Sequence, residues 1–497
     1  ALVAATPASA NVLCVQQELA ALGYNPGPPD GQLGSRTRTA AGYAADDHGL
    51  SLPRLTGATA NRWCDAMRTL TRGAGMHMGR VEPVTGEGCA ADPPDGYARE
   101  IVGFVDGDEV RLRVSAQFGG AVESLTWRGK EFLNTYDHGR QISYAWQMDG
   151  HGECLNPTEP GSASDLFKPT STSRLVSACS DAPNRLTTMT EPAYWLAPGE
   201  GGFCDGGAKT AVNETLLSDN LLTKTIEIGY RGIDNVIAFD ATIHLPRDHT
   251  SLQAEIPTAY LTHEFTAYWR FNPLTGDLIK PESQPLQKPW SFLHSGQLPP
   301  IIATPDGAYA LGAYTAEPIA AYEILFYDVP NPYDRTSKWN MVLQEQPAPA
   351  GDRQYLTFAV IGTLDEVQTA MSELYRLHPT DFDPPAGYVD RADCSVIEGW
   401  AWDPKAPGEP IEVAFHEIGP DGEKTFIRKR KAGRPRYDLK AALGDDGLHG
   451  FTISTRRIVT DGERHVIAVE AVNSVEGLPN RALIPARIVL ECPDIGR

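Results

Sequence analysis

The chain has 497 residues, enough for about three domains at roughly 150 residues each, and carries 64 Asp+Glu against 43 Lys+Arg, a net charge of −21. That field excludes a general nucleic-acid or anionic-membrane binder, while 41% hydrophobic and 22% charged residues exclude global disorder and a coiled-coil rod. The 47 Gly and 39 Pro suit short strands joined by many turns, and no run of about 18 apolar residues predicts a membrane-spanning helix.

Residues 1–10, ALVAATPASA, are small and apolar and end in Ala8-Ser9-Ala10, which fits a cleavage site before Asn11 and reads as the remnant of an export signal. The eight cysteines form no C-x-x-C pair and none alternates with His at zinc-finger spacing, so disulfides and an oxidising, secreted or periplasmic compartment are expected. Cys14 with Cys64 and Cys394 with Cys492 bracket the first and last segments and should clip each to itself. The middle four leave several pairings open, with Cys89–Cys154 and Cys179–Cys204 as the working expectation.

Residues 11–75 carry helical spacing at Val12, Val15, Leu19 and Leu22, followed by the loop GYNPGPPDGQLG and a second helix expected from Ser35, with Ser35 as its cap and Gly31 at positive φ. Val15, Gln16, Leu19, Leu22, Gly23 and Tyr24, then Asp30, Gly31, Leu33 and Gly34, then Thr37, Ala40, Gly49-Leu50 and Leu55-Thr56 form a pattern that resembles the peptidoglycan-binding module of bacterial cell-wall hydrolases. Residues 76–97 read as a Gly/Pro-rich linker.

From 98 to 378 the chain alternates as strands, among them TKTIEIGY, NVIAFDATIHL and QYLTFAVIG, with one helix expected after Thr363 through Val367, Met371 and Leu374. A stretch this long implies two large packed antiparallel sheets. The segment GGAVESLTWRGKEFLNTYDHG is similar to the opening of galactose-mutarotase-like supersandwich proteins, a resemblance that implies an extended sandwich handling sugars. After a second linker at 379–387, residues 388–497 read as a small immunoglobulin-like sandwich. Its Trp400-Ala401-Trp402-Asp403-Pro404 turn and Arg434, Pro435, Asp438, Gly447, His449, Gly450 and Phe451 resemble an accessory β domain of secreted bacterial and carbohydrate-active proteins. The fold class is therefore mainly β: a large antiparallel β-sandwich (supersandwich) with a small all-α N-terminal module and a C-terminal Ig-like β-sandwich.

Residues 134–162 concentrate acids, imidazoles, an arginine and aromatic rings, the mixture that sugar sites use to stack a pyranose and bind its hydroxyls. Glu153, Glu264 and Asp137 are the candidate catalytic carboxyls, since paired carboxyls flanking a glycosidic bond supply the acid and the nucleophile or base. His138, Arg140, Gln141, Tyr144, Trp146, Asn156, Glu191 and Trp195 are candidates for binding the sugar. Strand alternation would point Tyr260, Thr262, Glu264 and Thr266 one way and His263 and Phe265 the other.

No G-x-S-x-G, H-E-x-x-H, phosphate-loop or EF-hand pattern occurs, and no cofactor or metal is expected. The reading is a secreted glycoside hydrolase acting on a bacterial cell-wall or extracellular polysaccharide. Its expected partners are that polysaccharide and peptidoglycan, with no nucleic acid. A polysaccharide lyase, with Arg140 neutralising a uronate and His138 or Tyr144 as base, and a non-catalytic polysaccharide-binding scaffold are the alternatives. The basic run Lys424 to Arg436 reads either as a contact for anionic polymers or lipid headgroups or as a charge-protected hairpin edge.

Overall fold

The structure, a computed structural model, describes residues 7–22, 24–73, 84–281, 289–380, 384–419, 422–455, 459, 462–475, 478 and 480–493. Residues 1–6 of the expected signal remnant, Gly23, and 76–83 and 381–383 of the two expected linkers lie outside them. The chain is mainly β, with a small helical part at its N-terminal end. No helix among the described residues is long and apolar enough to cross a membrane.

Helices α1 (Pro7–Ala21), α2 (Ser35–Asp47) and α3 (Ala60–Gly73) bury Val15, Leu19, Leu22, Ala40, Ala44 and Met67 in one cluster, and Cys14–Cys64 ties α1 to α3. Gln16 links the motif: its amide donates to Asp30 at 3.0 Å and its Oε1 accepts from the Gly31 amide at 2.9 Å. Gly31 has φ 71° and a Cβ there would lie 2.8 Å from the Ser9 carbonyl oxygen, so both conformation and space require glycine. Ser35 is the first helical residue and does not cap α2; Gly34 holds the N-cap position, with no side-chain bond.

The central body is two stacked antiparallel sheets. The front sheet has eleven strands, its main path running Trp290–Gly296, Ala321–Tyr327, Thr336–Glu345, Leu252–Leu261, Ile142–Met148, Val122–Trp127, Asp108–Ser115 and Ala98–Val105. The back sheet has ten strands, with Leu221–Tyr230, Ile233–Leu245, Gly351–Gly362 and Ala310–Thr315 at its centre. Their facing sides form one core in which Trp127, Trp146, Trp339 and Phe239 are at most 1% exposed. The other side of the back sheet is covered by α4 (Leu364–Leu377) through Val367, Met371 and Leu374. The helix follows Thr363 as expected, and Thr363 caps it in a reciprocal capping box with Glu366.

Two corrections follow from the strand register. The second half of the expected first linker is not a spacer: Gly88–Ala91 is the edge strand of the back sheet. Its register sets Cys89 opposite Cys179, which form a disulfide, and Cys154 bonds Cys204, so neither Cys89–Cys154 nor Cys179–Cys204 exists. Cys14–Cys64 and Cys394–Cys492 pair as expected.

The C-terminal segment is a small sandwich of a four-stranded and a five-stranded sheet around Phe415, Phe451 and Val469. It is fastened to the central body by arginines. Arg464 pairs with Asp248, Arg487 lies 3.3 Å from Glu345, and Arg481 donates to the Ile319 carbonyl at 3.1 Å. The basic run forms an exposed edge strand, Lys424–Lys431, in which Lys424 and Lys429 pair with Glu470 and Glu412. Charge on an unpaired edge discourages pairing with another chain.

Candidate functional site

The loop at 134–141 is where the N-terminal module docks. Asn25 donates to the Tyr136 carbonyl at 3.1 Å and its amide donates to the Phe167 carbonyl at 3.0 Å, while the Arg36 guanidinium stacks 3.8 Å from the Tyr136 ring. Tyr136 and Phe167 complete the module's own core. Arg140 lies between Asp334 at 2.8 Å and Asp137 at 3.3 Å. Burial drags the Arg36 guanidinium down to about 10, and burial pushes the Asp137 carboxyl up against the pull of Arg140 and Arg36.

Most of the remaining sequence candidates are occupied by the fold. Both ring nitrogens of His138 face carbonyl oxygens, of Leu166 at 2.6 Å and Gln117 at 2.8 Å. Gln141, fully buried, closes its turn by bonds to the Gly139 amide and Asp137 carbonyl. Tyr144 and Trp146 point between the sheets, each 1% exposed, so neither offers a ring face to a sugar. Asn156 is buried, its carbonyl accepting from the Trp195 amide at 2.8 Å, and the Trp195 ring packs over Gly139.

The three candidate carboxyls are held by separate partners. Glu264 pairs with Lys130, Glu153 accepts from the Phe203 amide at 3.1 Å, and Asp137 belongs to the module interface. Glu191 is on the back sheet, paired with Arg174, whereas Glu264 follows a strand of the front sheet, so these acids do not share one face. The segment 262–266 also departs from the alternation expected of it. The strand ends at Leu261, the Phe265 amide closes a turn on Thr262, and Phe265 is fully buried.

A different polar cluster lies on the outer face of the front sheet. Cross-strand register there builds three rows: Ala145, Glu255, Val342 and Ala321; Ser143, Thr258, Asn340 and Glu323; and Tyr260, Lys338 and Leu325. Alternate residues of the same strands, including Ala254, Trp339, Met341 and Ile324, fill the core. Glu255 and Tyr260 are five apart and would face opposite sides of a regular strand. They share a face because the register slips between Glu255 and Thr258, at Pro257, which has no amide hydrogen for the ladder.

The cluster is connected throughout. The Lys338 ammonium contacts both oxygens of Glu255, at 3.0 and 3.1 Å, and lies 4.8 Å from the Tyr260 ring. Thr258 donates to the Asn340 side-chain carbonyl at 2.7 Å, which orients the amide nitrogen toward Glu255 at 3.2 Å and Glu323 at 2.9 Å. One amide nitrogen therefore bridges the Glu255 and Glu323 carboxyls and holds them as neighbours, as the two carboxyls of a glycosidase must be. Burial pushes the Glu323 carboxyl above the usual range, opposed by Asn340 and reinforced by Glu255. Burial opposes the Lys338 charge, yet Glu255 and Tyr260 hold that ammonium above its ordinary value, and burial raises the Tyr260 phenol.

This arrangement sets a carboxyl that burial raises beside a second carboxyl with a fixed counter-cation, with the half-buried Tyr260 phenol next to them, while the buried Asn340 and Thr258 side chains hold the carboxyls. None of Glu255, Glu323, Lys338, Asn340 and Tyr260 stood out in the sequence as a candidate. Their signal is a polar residue recurring among apolar ones in AEIPTAY, YEIL and SKWNMV, the alternation of a strand with a polar outer side. No protein-family model matches the chain, and no curated protein is significantly similar to it.

Proposed function

We propose that the chain is a carbohydrate-active enzyme, a glycoside hydrolase of a bacterial cell-wall or extracellular polysaccharide, with its site on the outer face of the front sheet. The observation that carries this reading is the pairing of Glu255 and Glu323 through Asn340. Glu323, whose carboxyl burial raises above the usual range, is the general acid for the leaving oxygen; Glu255, charge-balanced by Lys338, is the nucleophile or base. The half-buried Tyr260 positions sugar hydroxyls, while Asn340 and Thr258, each 2% exposed, hold the two carboxyls in place. The motif in the N-terminal module supports a wall or matrix glycan as substrate, and the four disulfides support an oxidising compartment.

The lyase reading is weaker because its residues are already engaged: Arg140 by Asp137 and Asp334, His138 by two carbonyls, and Tyr144 by burial. Incubation with purified peptidoglycan and a panel of bacterial exopolysaccharides tests the class of reaction. New reducing ends without an ultraviolet-absorbing product are expected. An unsaturated, absorbing product identifies a lyase, and binding with no product after long incubation identifies a scaffold; either result overturns the hydrolase.

A further inference from the structure

A cavity of about 330 Å³ opens where the C-terminal sandwich meets the central body, away from the Glu255 cluster. One wall is Asp248, His249, Pro347 and Pro349; the other is Val389, Asp390, Arg391, Pro485 and Ile488. Domain junctions are favoured places for ligands, and the volume falls in the range of ligand pockets, about 300–1,000 Å³. His249 is its most organised polar group. Asp149 Oδ2 lies 2.8 Å from His249 Nδ1, and Asp149 Oδ1 accepts from the Thr250 amide and hydroxyl. This carboxylate holds the ring through Nδ1, and Nε2 has no hydrogen-bond partner among the described residues. Although burial opposes it, bonds from His249 and Thr250 hold the Asp149 carboxyl below the usual range.

The charges in the walls cancel. Asp248 is paired with Arg464, Asp390 with Arg436, and Arg391 with Asp393. The cavity therefore has no spare charge with which to select an ion. Its lining carries polar side chains at His249, Asp248, Asp390 and Arg391, with saturated proline and aliphatic surfaces between them. Among the described residues no Ser, Thr or Cys lines it, so none offers a nucleophile for the Asp149–His249 pair to activate. Groups that both donate and accept, carried on a ring with an apolar face, match these walls. We propose that the junction cavity is a second carbohydrate site, which binds one or two neutral sugar residues of a glycan and to which the C-terminal sandwich contributes most of the lining.

The probes are chitobiose, cellobiose and maltose, followed by saturation-transfer NMR on the full chain without turnover. At least one disaccharide should bind, and Ile488→Trp, which fills the cavity, should abolish the signal. Arg391→Met changes a side chain that is 56% exposed and so leaves folding intact; it should weaken binding about tenfold, the loss of one charge-assisted hydrogen bond. Glu255→Ala separates this cavity from the sheet-face site and should leave the junction signal unchanged. Absence of binding by all three sugars, retention of the signal in Ile488→Trp or Arg391→Met, or its loss in Glu255→Ala would each overturn the proposal.

Discussion

Lys224→Met is the substitution whose cost can be worked most directly from the fold. Lys224 points inward from the back sheet and pairs with Glu159, which lies beyond the front-sheet strand Pro157–Thr158; both side chains are 0% exposed. Its ammonium also donates to the Gly120 carbonyl at 2.8 Å, so one cation joins three distant stretches of chain. Burial lowers the Lys224 ammonium and raises the Glu159 carboxyl, the mark of two charges that tolerate this interior only as a pair. With methionine at 224, Glu159 keeps a single donor, the Tyr144 amide at 3.2 Å. Breaking a buried pair from one side costs about 3–5 kcal/mol, whereas replacing both partners by apolar groups is near neutral. Lys224→Met should therefore lose about 4 kcal/mol, and Lys224→Met with Glu159→Leu should recover most of it. Denaturant unfolding followed by tryptophan fluorescence is the assay, because Trp127, Trp146 and Trp339 report from the same core. A single variant within about 0.5 kcal/mol of the parent, or a double variant as unstable as the two singles summed, would refute the reasoning.

Three further outcomes are expected. Activity should persist through the usual carboxylate range and fall as pH rises past the elevated Glu323 value, because a general acid must enter the reaction protonated; a pH profile of kcat/KM rising there would contradict the role. Arg36→Met should cost up to about 2 kcal/mol by removing a desolvated cation from the Tyr136 ring, seen as earlier hydrogen exchange at α2 and at 134–141 with the central core unchanged. Replacing Cys14 and Cys64 by Ala should destabilise the helical module by about 4 kcal/mol, the chain-entropy value for closing a loop with a separation of 50 residues, measured by thermal unfolding.

Much of the fold was legible where local chemistry dictates it. Thr363 and Glu366 signal a helix start through their own side chains, and Gly31 must adopt its turn because a Cβ would strike Ser9. The disulfides that close single domains were readable from their bracketing positions. Of the two middle disulfides, Cys89–Cys179 depended on a strand register that linker-like composition concealed, and that left Cys154 to bond Cys204. The densest polar segment in the sequence proved to be mainly a docking loop, because burying Arg36 against Tyr136 and Arg140 between two aspartates takes the same residue types as binding a sugar. The Glu255 cluster was hidden for the opposite reason. Its members are dispersed from 255 to 340 and meet only through cross-strand register, and the slip at Pro257 defeats simple alternation.

The most direct test sets two pairs of carboxyls against each other in one turnover assay on the polysaccharide that the panel identifies. Glu255→Gln and Glu323→Gln should each lower kcat by about 10²–10⁴-fold with unchanged circular dichroism, while Glu153→Gln and Glu264→Gln stay within a few fold of the parent. Full activity in Glu255→Gln and Glu323→Gln, with turnover lost in Glu153→Gln or Glu264→Gln, would contradict a catalytic centre on the outer face of the front sheet.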